Sequence, residues 1–200
     1  MIRPEIGEDG GWSFFNGHLK GYFISTGEHK YSYRQVYKAN SPYSGAGRNS
    51  ILTPALHYHL YQPETYTVNG GRMLYEIEGR RGVLEKGETF TFPPNTPHTF
   101  WSDESTGEDM DITTSIEGGP NVGFDEGFDH NFFGYWSSQV AQGKPLSPFQ
   151  MLLFLYTADV VDASIPLGLG RAANFVLGLL VGKYLLGYEE RYKAFDTKAD

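Results

Sequence analysis

The sequence predicts an all-β barrel or sandwich followed by a C-terminal pair of α-helices. Short runs rich in Tyr, Phe, Thr and Val recur between residue 12 and about residue 116, separated by turn signals at the spacing of such folds. After a Gly-rich connector, "EGGPNVGFDEGFD" (117–129), the pattern changes to longer apolar runs suited to helices. Two hundred residues suit one compact domain with an appendage. The expected division is therefore a β-barrel body over 1–130 and a helical extension over 131–200, packed on the barrel or at a dimer interface.

Taken in order, "WSFFNGHLKGYFIST" and "KYSYRQVYKA" (within 12–40) lean towards strand and are split by the turn-like "GEHK". "NSPYSGAGRNS" (40–50) reads as a loop. "NGG" at 69–71 is the strongest hairpin marker in the chain, and "EGRRG" (78–82), "EKGE" (85–88) and "PPNTP" (93–97) supply further turns. "LSPFQMLLFLYTADVVDA" (146–163) starts like a helix. Ser147 caps it, Pro148 sits where a missing N–H is harmless, and Gln150 completes a capping box. "SIPLGLG" (164–170) breaks it, and "RAANFVLGLLVGKYLLGYEERYKAF" (171–195) reads as a second, longer helix.

Charge excludes some function classes. The formal net charge is −8, the pI is near 5.2, and the only short basic cluster is "GRRG" (79–82). Nucleic acid is set aside as a partner, because its binders carry a basic patch or stripe. No cysteine is present, which removes disulfides, thiolate ligands and a cysteine nucleophile. The polar start "MIRPEIGEDGGWSFFNG" lacks the apolar core of a signal peptide, so a cytoplasmic location is expected. Fourteen Phe and 14 Tyr can fill a β-rich core or line a pocket for a flat apolar ligand.

The chemistry concentrates in "PALHYHLYQPETY" (54–66). On a strand, residues two apart share a face, so His57 and His59 project together, and Glu64 re-enters after the bend "LYQP". Downstream, "LEKGETFTFPPNTPHTFW" (84–101) places His98 just after a proline turn. Three imidazoles and one carboxylate converging in a barrel make a reasonable shell for one divalent transition metal ion, of Fe, Mn, Ni or Zn.

At this point the chain resembles the cupin superfamily. That family's first motif, G-x5-H-x-H-x(3,4)-E-x6-G, is met by His57, His59, Glu64 and Gly71, with Ile51 at the leading glycine. The second, G-x5-P-x-G-x2-H-x3-N, is met by Gly87, Pro93 and His98. Asn95 replaces the second glycine, a substitution a turn tolerates because Asn adopts positive φ, and Ser102 replaces the final Asn. The resemblance implies a double-stranded β-helix (jelly-roll) barrel, with His57, His59, Glu64 and His98 as metal ligands.

Tyr66 shares strand parity with Glu64, and Phe100 with His98, so both face the cavity. Tyr66 is a candidate acid or orienting group, although such residues are more often core wall. His18, His29 and His130 read more readily as surface residues. Of these, His130 in "FDHNFFGYW" (128–136) is the candidate for a second catalytic role. Asp109 and Asp111 in "EDMDI" (108–112) read as a solvent-side pair. "FVLGLLVGKYLLGY" (175–188) is apolar nearly all round, with Gly178 and Gly182 spaced as in close-packed helix pairs, but Lys183 interrupts it. A helix buried on the barrel or against a second copy is preferred to a membrane span, with peripheral membrane contact the minor alternative. The resemblance implies a metal-dependent enzyme on a small hydrophobic or aromatic substrate, associated with specialised metabolism, and by analogy a homodimer. Oxygenase chemistry is favoured. A non-redox isomerase, cyclase or lyase and a non-catalytic binding protein are the alternatives.

Overall fold

Strand alternation sorts the side chains of this chain into two antiparallel sheets that share one core. The computed structural model describes residues 1–27, 30–117 and 124–195; His29 and residues 118–123 of the Gly-rich connector lie outside them. The strands are β1 (Glu5–Ile6), β2 (Trp12–Phe14), β3 (Leu19–Gly27), β4 (Lys30–Tyr37), β5 (His57–His59) and β6 (Glu64–Gly70). They continue with β7 (Arg72–Ile77), β8 (Arg80–Glu85), β9 (Thr89–Phe92), β10 (His98–Ser102), β11 (Met110–Glu117) and β12 (Val160–Asp162). The larger sheet runs β1-β2-β3-β4-β11-β6-β9 and the smaller β12-β5-β10-β7-β8.

The period of two is plain on β6, where Glu64, Tyr66 and Val68 are buried and Thr65 and Thr67 face outwards. The outward threonines meet Thr91 and Thr89 of β9 through hydroxyl contacts of 2.9 and 3.0 Å. On β11 Met110, Ile112, Thr114 and Ile116 point inwards. On β4 Tyr31, Tyr33, Gln35 and Tyr37 do the same. The expected β-rich body followed by helices is what the chain forms.

Several local readings change. Asn69–Gly71 is not a hairpin, because β6 belongs to the larger sheet and β7 to the smaller. Turn residues report a need for positive φ, here +64° at Gly71, and do not report which strands then pair. A Cβ on Gly71 would lie 2.5 Å from the Asp109 carbonyl oxygen, so this inter-sheet corner requires glycine. The true two-residue hairpin joins β7 to β8 through Glu78 and Gly79, at φ 49° and 77°.

Three helical segments follow, one more than expected. Helix α1 (Glu126–Ala141) opens on Asp125, whose carboxylate accepts from the Phe128 N–H at 2.8 Å. Helix α2 (Pro148–Thr157) opens on Ser147 and Pro148 as expected. The capping box is not closed by Gln150: its amide donates to the Glu189 carbonyl and its oxygen accepts from Tyr192. Helix α2 also stops earlier than its apolar pattern implies. Asp159 turns the chain at φ 55°, and the β-branched pair Val160–Val161 joins β5, with Val160 opposite His59 and Asp162 opposite His57. The C-terminal part thus returns one strand to the smaller sheet.

Helix α3 (Gly170–Ala173) runs into a π-helical segment, Asn174–Leu185, which packs on α2. The expected glycine pair lies at that contact. A Cβ at Gly178 would fall 2.6 Å from the Leu152 carbonyl carbon and 2.7 Å from the Leu153 nitrogen, both backbone atoms that cannot rotate away. Gly178→Val is therefore expected to destabilise the fold by about 2–4 kcal/mol, the cost of forcing packed elements apart. A urea denaturation midpoint unchanged from the parent would contradict that packing account. No helix among the described residues is long and apolar enough to cross a membrane.

Candidate metal centre

Strand β5 is only three residues long, yet it is fixed on both edges. Strand β10 pairs on one side, placing His98 opposite His57, and β12 pairs on the other. The turn before β10 adds a clamp: the Asn95 N–H donates to the His59 carbonyl at 2.7 Å, and its side-chain amide donates to the Leu60 carbonyl at 3.0 Å. Asn95 sits at φ 57°, the left-handed conformation anticipated for an Asn in place of glycine. Glu64 comes from the opposite sheet, where β6 places it beside Phe92 and Ile116. Three imidazoles from one sheet therefore meet one carboxylate from the other.

The structure brings all four sequence-identified ligands together. One donor atom from each of His57, His59, Glu64 and His98 lies within 4.8 Å of the others. Glu64 Oε2 is 2.8 Å from His98 Nε2 and 3.2 Å from His59 Nε2. His57 Nδ1 and His98 Nδ1 each lie 2.8 Å from a backbone carbonyl, of Ala55 and Thr96 respectively. A carbonyl can only accept, so both Nδ1 atoms carry hydrogen and both Nε2 atoms are left as donors to the shared centre. His59 is 1% exposed; its Nδ1 has no hydrogen-bond partner, and its Nε2 faces only the Glu64 carboxylate at 3.2 Å. Buried nitrogens left this way are costly unless something binds them.

Electrostatics support the same use. Burial, then the neighbouring His98 and His59, lowers the His57 pKa to about 3, so this ring is a neutral donor at physiological pH. Burial alone would raise Glu64, but His59 and His98 outweigh it and hold the carboxyl well below its ordinary range. Imidazole nitrogens around one carboxylate oxygen fit a divalent transition ion, and His59 Nε2, beside Glu64 Oε2, is the atom of that ring such an ion would bind.

His57 and Glu64 also line a cavity of about 330 Å³. Its walls include Tyr31, Tyr33 and Tyr37 of β4, Tyr66, Phe100, and Phe128, Asp129 and Phe132 of α1. Tyr66 and Phe100 thus face the cavity as their parity implied. Burial and the Glu64 charge push the Tyr66 phenol well above its ordinary value, so it remains a hydrogen-bond donor. His130 is elsewhere. It is buried, not exposed, stacks on Trp12 with ring centroids 3.9 Å apart and stands edge-on behind the lining residue Tyr33 at 6.3 Å, without lining the cavity itself. His18 is half-buried, edge-on to Tyr43 at 5.3 Å. Asp109 and Asp111 pair with Lys38 at 3.3 Å and Arg34 at 2.7 Å, the expected outer-face use.

The sequence reading missed the β4 tyrosines and Asp129. The alternation Tyr31, Tyr33, Gln35, Tyr37 was a usable signal, since it places all four on one strand face. So was the four-residue spacing of Phe124, Phe128, Phe132 and Trp136, which marks one side of a helix. Asp129 carries no signal of its own until that helix is recognised.

Comparison with known proteins agrees with this geometry. The cupin domain family matches residues 51–111, the stretch holding all four candidate ligands. The chain is 28% identical over 178 residues to the probable oxidoreductase virH of Hypocrea virens, covering 86% of this chain and 80% of that protein. It is 30% identical over 119 residues to the oxidoreductase iacF of Pestalotiopsis fici, 57% of each chain. It is 24% identical over 156 residues to the epoxidase atD of Aspergillus terreus, covering 74% of this chain and 48% of that protein. The chain thus spans about half the length of the latter two relatives. The family match is seated on the strands that carry the His/Glu cluster, and residues 51–111 of this two-sheet β fold are a cupin domain.

Proposed function

We propose that this protein is a metal-dependent oxidoreductase that acts on a small, largely apolar, aromatic substrate held in the 330 Å³ cavity. The observation that carries the reading is that two members of the His/Glu cluster, His57 and Glu64, line the same cavity as a wall of aromatic rings. Similarity to proteins named oxidoreductases and to one named an epoxidase supports redox chemistry over isomerisation or simple binding. Iron(II) is the favoured ion among Fe, Mn, Ni and Zn, and when bound it would supply Lewis acidity and one-electron chemistry towards dioxygen.

The protein's own groups account for the remaining requirements. The aromatic walls stack a planar substrate and exclude water, which strengthens every polar contact inside. Tyr66, protonated and next to Glu64 on the same strand face, donates to a substrate oxygen and orients it. His130, stacked on Trp12, holds α1 against β2.

The test is oxygen dependence. The iron(II)-reconstituted full chain, offered a panel of hydroxylated fused-ring aromatics, is expected to consume dioxygen with at least one of them and to convert none under strict anoxia. Conversion without dioxygen or any other oxidant would replace this reading with a non-redox isomerase or lyase.

A further inference from the structure

Helix α1 carries a group into the cavity that the metal ligands do not explain. Asp129 is 3% exposed and lines the same cavity as His57 and Glu64. The Tyr31 hydroxyl donates to its Oδ2 at 2.6 Å. Around the pair stand rings: Phe124, Phe128 and Phe132 line the cavity beside Asp129. The lining contains no lysine or arginine among the described residues. We propose that Asp129 and Tyr31 form a second polar pole of the cavity, which binds a hydroxyl or carbonyl oxygen of an uncharged substrate at a distance from the metal ligands.

The chemistry follows from what surrounds the carboxyl group. The titratable groups facing it are Tyr31, Tyr33 and Tyr37 of β4, Glu64 of β6 and Asp125 at the start of α1, none of them a cation. The helix N-terminus favours a negative charge at this position. Burial opposes it more strongly, and Asp125 and Glu64 add repulsion, so Asp129 holds its proton to about pH 8. A neutral acid offers one O–H donor and retains acceptor capacity, whereas an ionised one only accepts. With Glu64 committed to the ion and Asp162 accepting from the Ser164 N–H and hydroxyl at 2.8 and 2.6 Å, the rest of the lining presents phenols, an amide, a hydroxyl, an indole and this acid. Such a surface suits a planar, uncharged, oxygen-bearing molecule and rejects an anionic one.

Asp129 lies outside residues 51–111, the part that matches the cupin domain. The inference is therefore that the barrel supplies the ion's ligands, while α1 and β4 set which substrate fits. It rests on the reading of this cavity as the substrate site, and it concerns selectivity, not metal binding.

The test uses naphthalene and 2-naphthol, which differ by a single hydroxyl and are both uncharged at pH 7. Dissociation constants are measured on the metal-loaded full chain and on His59→Ala, which weakens the ion's site. The hydroxyl is expected to tighten binding about tenfold in both proteins, the effect of one buried hydrogen bond. In Asp129→Leu that preference should vanish while naphthalene affinity stays within about twofold. A preference that persists in Asp129→Leu, or that appears only with metal bound, overturns the proposal. Infrared spectroscopy gives a readout on the unaltered fold. A protonated-carboxyl band present at pH 7 in the parent and missing in Asp129→Asn should shift when 2-naphthol binds and stay put with naphthalene; a band unmoved by 2-naphthol overturns the proposal as well. Metal content is measured in parallel. Its absence from the parent would remove the oxidoreductase reading, yet the naphthol comparison would still decide the role of Asp129.

Discussion

Replacing Glu64 by alanine is expected to strip the transition ion from the protein. Elemental analysis of the parent should find about one ion per chain, the capacity of a single four-ligand shell. Glu64 is the only anion among the four ligands, and it lies within 3.2 Å of both His59 Nε2 and His98 Nε2. Without it, three neutral rings would face a dication in a buried site with nothing to offset its charge. Loss of a group that merely orients a ligand costs about 10–100-fold in affinity, so loss of the charged ligand should cost at least about 100-fold. Glu64→Gln separates charge from shape. It keeps the volume and a hydrogen-bonding oxygen, and is nevertheless expected to fall nearly as far. His59→Ala should also lose most of its metal, since that buried ring presents its Nε2 to the shared centre, 3.2 Å from Glu64 Oε2. Full metal content in a His59→Ala/Glu64→Ala double variant would remove the centre from these residues.

The ligand set was legible because it needs only local rules. His57 and His59 share a strand face by parity, and His98 follows a proline turn whose asparagine takes the left-handed conformation its position demands. Long-range partners were not legible in the same way. "NGG" signals positive φ equally well for a hairpin and for the inter-sheet corner it makes at Gly71. Val160–Asp162 follows an apolar helix without a strong break. What decides its fate is the free edge of β5, more than a hundred residues earlier in the chain, and no local window contains that edge. Helix α1 was hidden for a different reason. Its Phe-rich face is covered by the cavity and its opposite face carries buried His130 and Asn131, so polar residues do not mark a solvent side.

Raising the pH from 5 to 8 is expected to destabilise the parent relative to Asp129→Asn. Burial, with smaller contributions from Asp125 and Glu64, raises the Asp129 pKa to about 8 against the opposing hydrogen bond from Tyr31. In the unfolded chain the same carboxyl titrates near its ordinary value of about 3.9. Between these two values the folded protein holds a proton that the unfolded chain has released, so protons favour the folded state. The contribution is fully present below about pH 4 and is lost as pH rises through 8, with a slope of about 1.4 kcal/mol per pH unit. Over three units the change approaches about 4 kcal/mol, an upper figure because local opening can hydrate the group first. Glu64 titrates with the opposite sign: its carboxyl is held low, so its contribution is present at neutral pH and lost in acid. Both chains share Glu64 and His57, and comparing parent with variant in chelator cancels those titrations. Asparagine keeps an acceptor for the Tyr31 hydroxyl and cannot ionise, so the urea midpoint of Asp129→Asn should rise relative to the parent with each step in pH. Parallel midpoints from pH 5 to 8 would mean that Asp129 is already ionised in the folded protein, and a carboxylate added to a cavity that Glu64 and Asp162 also line would then need a cation near Asp129 that the described lining does not provide.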